Sequence, residues 1–511
     1  MSYLDYAPSE PLLVGYDPVC VLHKDHLARF VDRLVDECIE VSRGPVKSGR
    51  PAFDPRLCLK VLIYGYAIGV RSSRQLERQC DENLGFLLLT RGLTPSYRTL
   101  CSVRTDSKDQ IEAVWDSMFA VAADAGIKRL GRIFLDSTKL AANASPESVI
   151  KAADFAAFRS ELARIMAEAV ELDAIDEQND KLSQTHIDKA VPKDHMREVI
   201  RRVHKMRAGE KAGLTPEAEP LNLGPGMLKR IEAAAVAIDN AQQAGEKHVS
   251  LTDPDAKMMG EGRSKRVREC HSFEVAVDNG LLVVGQTSQS PTDNCRLVPI
   301  VNAAELDESV EIVAVTADSG YYSGSNVCVL ENAGIATCIP DSDTAHDLHL
   351  GRSIGAGSAM RFGNVPLTYA SCKDSFECPE SNVLSFHRIG QKDGQSYREY
   401  RATQSCETCP LIAECIKATN NHYKSIKVRI DYKQTSAVLE RFNSEEHQRQ
   451  YLDRAHAVET VFAVVRTVLK FTRWSLRGAP KVEAEGALLK TALQIRRIQS
   501  ARLASKALVA A

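Results

Sequence analysis

Residues 131–136 read GRIFLD and residues 311–318 read EIVAVTAD. Each is a short apolar run ending on an acid, the pattern of a strand buried on both faces. Each leaves an aspartate, Asp136 or Asp318, at its C-terminal end. Between them HSFEVAVD (271–278) and LLVVGQT (281–287) are strand patterns joined by Asn279-Gly280, a dipeptide that favours a tight hairpin. Helical spacing follows near 297–306 and 324–333, with a further strand at 335–339. The order is strand, hairpin, strand, helix, strand, and the fold class is α/β with Asp136 and Asp318 on one sheet.

Outside this unit the chain turns helical. In the first 125 residues Asp54-Pro55 is a helix start, with Asp as cap and Pro at the first helical position. Leu57, Val61, Tyr64 and Ile68 follow at helical spacing. A short helix is expected around Arg74–Gln79, and Thr94-Pro95-Ser96 opens another that carries Arg98 and Arg104. Short helices with arginines on the last fit a helix-turn-helix reader of DNA; a helical bundle with solvated arginines fits equally. Residues 146–249 form a helical insertion. Phe155, Phe158, Leu162 and Ile165 mark one of its apolar faces, and Met196, Val199, Val203 and Met206 mark another. The second is flanked by Lys193, Arg197, Arg201, Arg202, Lys205 and Arg207, a solvated face or a phosphate contact. The chain ends in helices expected over 433–470 and 480–506.

The chain has 511 residues, 44% hydrophobic and 26% charged, which excludes wholesale disorder and sets about three domains as the expectation. No run approaches a membrane span, and the N-terminal MSYLDYAPSEPLLVGYDP lacks the basic start and apolar stretch of a secretory signal. The expected setting is the cytoplasm, associated with the nucleoid. Fourteen cysteines there imply reduced thiols or a metal site. Net charge is only −2, so a nucleic-acid surface has to arise locally. From Arg466 to Lys506 ten Lys and Arg face two acids, Glu483 and Glu485, a local excess of about eight positive charges.

A third carboxylate, Glu459, lies on the helix YLDRAHAVETVFAVVRTVLK. Two acids at strand ends, met by an acid on a helix crossing the sheet, make an oxygen-rich pocket of the kind Mg²⁺ (or Mn²⁺) takes. A pair of such ions activates a nucleophile and stabilises the leaving oxygen of a phosphodiester.

These segments resemble the DDE transposases of bacterial insertion sequences. LDSTKLAANAS around Asp136 is similar to the first-aspartate motif of that family, and VTADSGYYS around Asp318 to the second. RAHAVETVFAVVRTVLKFTRWSLRG resembles the glutamate motif, with Arg454 before Glu459 and Arg466 after it. RPAFDPRLCLKVLIYGYAIGVRSSRQLERQCDENLGFLLL is similar to an InsH-type N-terminal domain, and TDPDAKMM at 252–259 also matches. The sequence departs from the pattern at Arg466, where lysine is usual, at Gly486, where tryptophan is expected, and at His271 in place of tyrosine.

The resemblance implies a ribonuclease-H-like catalytic domain built from 126–145, 250–340 and 431–511. It further implies an N-terminal DNA-binding domain over 1–125 and insertions at 146–249 and 341–430. Asp136, Asp318 and Glu459 would hold two Mg²⁺ ions for cleavage and strand transfer at the terminal inverted repeats. Arg454, Arg466, Arg473, Arg477, Arg98 and Arg104 would contact double-stranded DNA, in a homo-oligomeric synaptic complex away from any membrane. A DNA-binding relative without activity and a nuclease without strand transfer are the alternatives.

The 341–430 stretch reads as polar and turn-rich, without the apolar residues for a core of its own. Cys406-x2-Cys409-x5-Cys415, with Cys378 upstream, offers four thiolates for one structural Zn²⁺, which is expected to order the insertion. The alternative is reduced cysteines packed as small hydrophobes.

Overall fold

A computed structural model describes residues 17–40, 51–179, 225–261, 266–305, 310–349, 360–362, 365–370, 372–392, 395–416 and 422–510. The helices of the N-terminal region are α1 (Pro18–Val21), α2 (Leu27–Cys38), α3 (Pro55–Ala67), α4 (Ser73–Glu82), α5 (Leu84–Thr90), α6 (Tyr97–Asp106) and α7 (Lys108–Asp124). Asp54 caps α3 as expected, its carboxylate accepting the Arg56 N–H at 2.9 Å. Ser96 likewise caps α6. The seven-residue α5 separates α4 from α6, so these two are not successive helices of a simple helix-turn-helix. Residues Leu57 to Ala67 of α3 are all buried. Lys60 is among them; its ammonium lies 2.7 Å from both Asp32 and Asp36 of α2, the pairing a buried charge requires.

β1 (Arg132–Ala141) runs five residues past the apolar run that announces it. After it come β2 (Val149–Lys151), α8 (Phe155–Asn179), α9 (Pro225–Gln243) and β3 (His248–Ser250). β2 pairs with β3. Phe155, Phe158, Leu162 and Ile165 of α8 pack on Ile231, Ala234 and Ile238 of α9 in a core of their own. The face at Met196, Val199, Val203 and Met206, with its six basic neighbours, lies outside the described residues.

The main sheet adds β4 (Lys257–Glu261), β5 (Arg266–Asp278), β6 (Leu281–Ser288), β7 (Ala314–Thr316) and β8 (Ala336–Cys338). β5 is antiparallel to β4, β1 and β6, whereas β1, β7 and β8 run parallel. This is the curled mixed sheet of a ribonuclease-H-like α/β fold. Asn279 and Gly280 both take positive φ (46° and 81°), the two-residue turn expected there. α10 (Leu297–Glu305) leads into β7, and α11 (Gly324–Asn332) connects β7 to β8. His271 on β5 is fully buried, its Nε2 3.0 Å from the Asp253 carboxylate, which also accepts the Gly478 N–H. Where tyrosine was expected, histidine thus ties the 252–259 turn to the sheet and the C-terminal loop.

α12 (Ser342–His349) precedes a second sheet, β9 (Met360–Phe362), β10 (Val365–Ala370), β11 (Ser375–Glu377), β12 (Val383–Lys392), β13 (Gln395–Ala402) and β14 (Ser425–Arg429), with the short α13 (Ile412–Cys415) before β14. The strands follow one another antiparallel across the sheet. This corrects the expectation that residues 341–430 cannot build a core. Leu367, Tyr369, Phe376, Leu384, Tyr400, Ile426, Val428 and Tyr432 form one. Tyrosines supply much of it, and the alternation is masked by the polar residues that every second position of a one-faced sheet turns to water.

The single helix expected over 433–470 is two, α14 (Tyr432–Arg441) and α15 (Glu445–Ala463), because Ser444 caps a new start. A π turn at Val464–Val468 ends α15, and α16 (Ala479–Ala510) closes the chain. One continuous core joins Leu34, Leu62 and Trp115 of the N-terminal helices, Leu135, Val275 and Val315 of the sheet, and Leu489 and Leu493 of α16. At Gly486 an added Cβ would stand 2.7 Å from the Thr287 methyl on β6. Glycine there permits the close approach of α16 to the sheet, and tryptophan does not fit.

Candidate active site

β1 and β7 are parallel neighbours in register Phe134↔Thr316. Two residues further along each strand direction stand Asp136 and Asp318, so the register alone sets the two acids side by side, Asp318 just past the end of β7 and Asp136 within β1, which does not end there as expected. Each is fixed by the next backbone N–H: Ser137 donates to Asp136 Oδ1 and Ser319 to Asp318 Oδ1, both at 2.7 Å.

α15 crosses this end of the sheet and places two side chains on the acids. Arg454 Nη1 donates to Asp136 Oδ2 at 2.8 Å, and the Tyr451 hydroxyl donates to Asp318 Oδ1 at 3.3 Å. Three residues apart, the two share one face of the helix, and the Arg454 guanidinium lies 5.4 Å from the Tyr451 ring centroid. Tyr451 was missed in the sequence; its i, i+3 spacing to Arg454 was the available signal. Also missed were Lys139 and Asp293. Asp293, on the loop after β6, accepts from Lys139 Nζ at 2.6 Å and from Ser137 Oγ at 2.9 Å, bracing the residue next to Asp136. A loop acid carries no periodic signal.

Burial pushes the Asp136 carboxyl up to about 6; Arg454 opposes this and the Asp318 charge adds to it. Asp136 therefore takes up its proton in the folded chain at a pH where the unfolded chain is ionised. Its contribution to stability is complete below the unfolded value near 4 and is lost as pH rises through about 6. A carboxyl ¹³C NMR titration of metal-free protein should give Asp136 a midpoint near 6, and Arg454→Gln should move it upward. A midpoint at the ordinary aspartate value would end this account.

Glu459 is exposed on α15, five residues beyond Arg454. Among the described residues the Glu459 side chain makes no hydrogen bond or ion pair. Arg466, on the π turn, donates to Thr138 Oγ1 at 2.5 Å, two residues past Asp136 on the same face of β1. Arg473 and Arg477 are exposed and hold the backbone carbonyls of Ala142, Ala144 and Asn143. Arg98 is exposed beside Tyr97. Arg104 is corrected: it is 4% exposed and donates to Ser73 Oγ, joining α6 to α4 where no DNA reaches it.

Cys378, Cys406, Cys409 and Cys415 all line one cavity of about 230 Å³. Asn382 links two of them, its backbone N–H donating to Cys378 Sγ at 3.3 Å and its amide to Cys406 Sγ at 3.7 Å. Among the described residues no group of three or more His, Cys, Asp or Glu stands in a metal-holding arrangement, here or at the acids.

Two family models match the sequence. Residues 377–499 match the Transposase DDE domain, a span that takes in Glu459 and all four of these cysteines. Residues 19–106, from α1 to α6, match the Transposase domain (DUF772). Over these two stretches the chain is similar to DDE transposases. No curated protein matches it. The match over 19–106 coincides with the helices whose arginines suggested a DNA reader. Among the described residues no helix is long and apolar enough to cross a membrane.

Proposed function

We propose that this protein is an active insertion-sequence transposase that binds terminal inverted repeats and cuts and joins DNA strands at the Asp136–Asp318 pocket. The observation that carries this reading is the parallel register of β1 and β7, which sets two carboxylates side by side under a helix bearing Glu459. The donor chemistry fits Mg²⁺: hard oxygens, two neighbouring carboxylates of which Asp136 is raised chiefly by burial, and a cation, Arg454, standing against one of them. Asp136, Asp318 and Glu459 would hold the metal, which when bound lowers the pKa of the attacking water or hydroxyl and neutralises charge at the phosphate. Arg454 balances the acids in the metal-free chain. Tyr451 and the Ser137 and Ser319 amides fix carboxylate orientation, and Arg466 lies along β1 to meet a phosphate near Thr138.

The test is a linear DNA carrying candidate terminal repeats, incubated with the protein and Mg²⁺. Cleavage with joining is the expected result. Cleavage alone indicates a nuclease, and a bare gel shift indicates a DNA-binding relative without activity.

The cysteine cavity is proposed to take one Zn²⁺, since soft thiolates from four positions face it. Because β9–β14 have their own core, the ion is not needed to fold the sheet. Metal analysis of protein purified without chelators should give about one zinc per chain, and chelation should raise amide exchange around 404–416 while leaving the β9–β14 strands protected. Less than about 0.2 zinc per chain returns the thiols to ordinary packing.

A further inference from the structure

Part of the positive charge between Arg466 and Lys506 is compensated on the last helix. Within α16, Lys490 pairs with Glu112 and Lys506 with Asp25. The loop before α16 behaves differently, and it leads back to the N-terminal helices. Arg71, just before α4, lies 4.2 Å over the Phe471 ring. It donates to the carbonyls of Arg473 at 2.9 Å and Lys470 at 3.2 Å. One turn further, Arg74 stands 5.2 Å from the Tyr97 ring centroid at the start of α6, and Arg98 stands 5.8 Å from the same ring.

Among the described residues Arg71, Arg74, Arg98, Lys470, Arg473 and Arg477 make no ion pair with a carboxylate, Glu269 acting on Arg473 only through its charge, whereas Lys60, Lys139, Arg296, Arg441 and Lys490 elsewhere in the chain are each paired with one. The five arginines are held instead by carbonyls or tucked against rings. A guanidinium has five N–H donors, so this fixes its direction and leaves both its charge and several donors unspent. A row of pre-oriented, uncompensated cations on a chain of net charge −2 is matched to a polyanion.

We propose that α4, the start of α6 and the 470–478 loop form one phosphate-binding track for duplex DNA, which the same chain continues to its own acids. The continuation is physical: Arg473 and Arg477 grip residues 142–144 at the end of β1, and Arg466 touches Thr138 beside Asp136. Arg74, Arg98 and Lys470 are the phosphate contacts, and Arg71 is the pivot that keeps the loop aligned with α4. Naming DNA as the partner rests on the transposition reading above.

The test uses the full chain and a fluorescent 40-base-pair duplex of arbitrary sequence, in chelator so that no cutting occurs, with anisotropy followed from 50 to 200 mM KCl. Each lost phosphate contact should flatten the slope of log affinity against log salt by about 0.9. Arg74→Ala with Arg98→Ala should therefore flatten it by roughly two and Lys470→Ala by roughly one. The double variant should bind about tenfold or more weakly at 100 mM salt. Arg388→Ala, which removes an exposed arginine paired with Glu399 on the second sheet, should leave both quantities unchanged. Urea midpoints equal to wild type confirm that the variants fold. Wild-type slope and affinity in the folded Arg74/Arg98 and Lys470 variants would overturn the track even if the wild-type protein cuts repeat ends. A flattened slope in a protein that never cuts DNA would keep the track and remove the transposase reading. A preference for single strands or RNA over the duplex would also overturn it.

Discussion

Asp318→Asn should abolish strand cleavage in Mg²⁺ while leaving duplex binding near the wild-type value. The amide keeps an oxygen that can accept the Ser319 N–H and the Tyr451 hydroxyl, so the local geometry survives. What disappears is one of two negative charges set side by side by the β1–β7 register. If metal charge stabilisation contributes several kcal/mol at the reacting phosphate, its loss is at least about a hundredfold in rate. Single-turnover cleavage beside anisotropy on the same preparation separates the two effects. Ordinary cleavage by this variant would remove Asp318 from the chemistry, and loss of binding together with cleavage would show that the fold had been damaged.

Glu485→Ala should be among the most destabilising single changes in the chain, costing about 3 kcal/mol or more, since each buried donor left unsatisfied costs about 1–3 kcal/mol. Glu485 is completely buried on α16. Its Oε2 accepts the N–H groups of Ser475 and Leu476 at 2.8 and 3.0 Å, and its Oε1 accepts the Tyr66 hydroxyl of α3 at 3.1 Å. One carboxylate therefore closes the N-terminal helices, the basic loop and the last helix on one another. Truncation strands three donors at once, two of them on the loop that carries Arg473 and Arg477. Glu485→Gln keeps the acceptor oxygens in part and should cost about 1 kcal/mol. Urea unfolding at pH 7 reads both values. A loss under about 1 kcal/mol for the alanine variant would mean that water replaces the carboxylate and that the junction is looser than its geometry.

The sheet was legible because its cues are local. Apolar runs ending on acids gave β1 and β7, Asn279-Gly280 gave the β5–β6 turn, and Asp54-Pro55 gave the start of α3. The proximity of Asp136 and Asp318 was legible too, since each closes an apolar run and the two runs pair as parallel neighbours, although β1 continues past Asp136. The second sheet was not. Its core leans on Tyr369, Tyr400 and Tyr432, residues with a polar hydroxyl that do not stand out as an apolar run, and its strands turn every second side chain to water. Arg104 illustrates a different limit: nothing in a sequence distinguishes an arginine on the outer face of a helix from one pressed on a neighbouring serine. Lys139 and Asp293 were invisible for a related reason, since their roles arise from contacts between segments far apart along the chain. Gly486, where tryptophan was expected, is a point of close approach between the last helix and β6.

The core shared by the N-terminal helices, the sheet and α16 bears on how such proteins can be taken apart. A cut near residue 125 looks natural on a map of matched regions. It would bare Leu34, Leu62 and Trp115 on one fragment and Leu489 and Leu493 on the other. Neither piece would be expected to stay soluble alone, and grafting the first 125 residues onto another catalytic half would demand a matching helix as well. Recombination between relatives would then succeed only when both ends of the gene travel together, so that changes in the DNA reader are inherited along with the C-terminal helix it rests on.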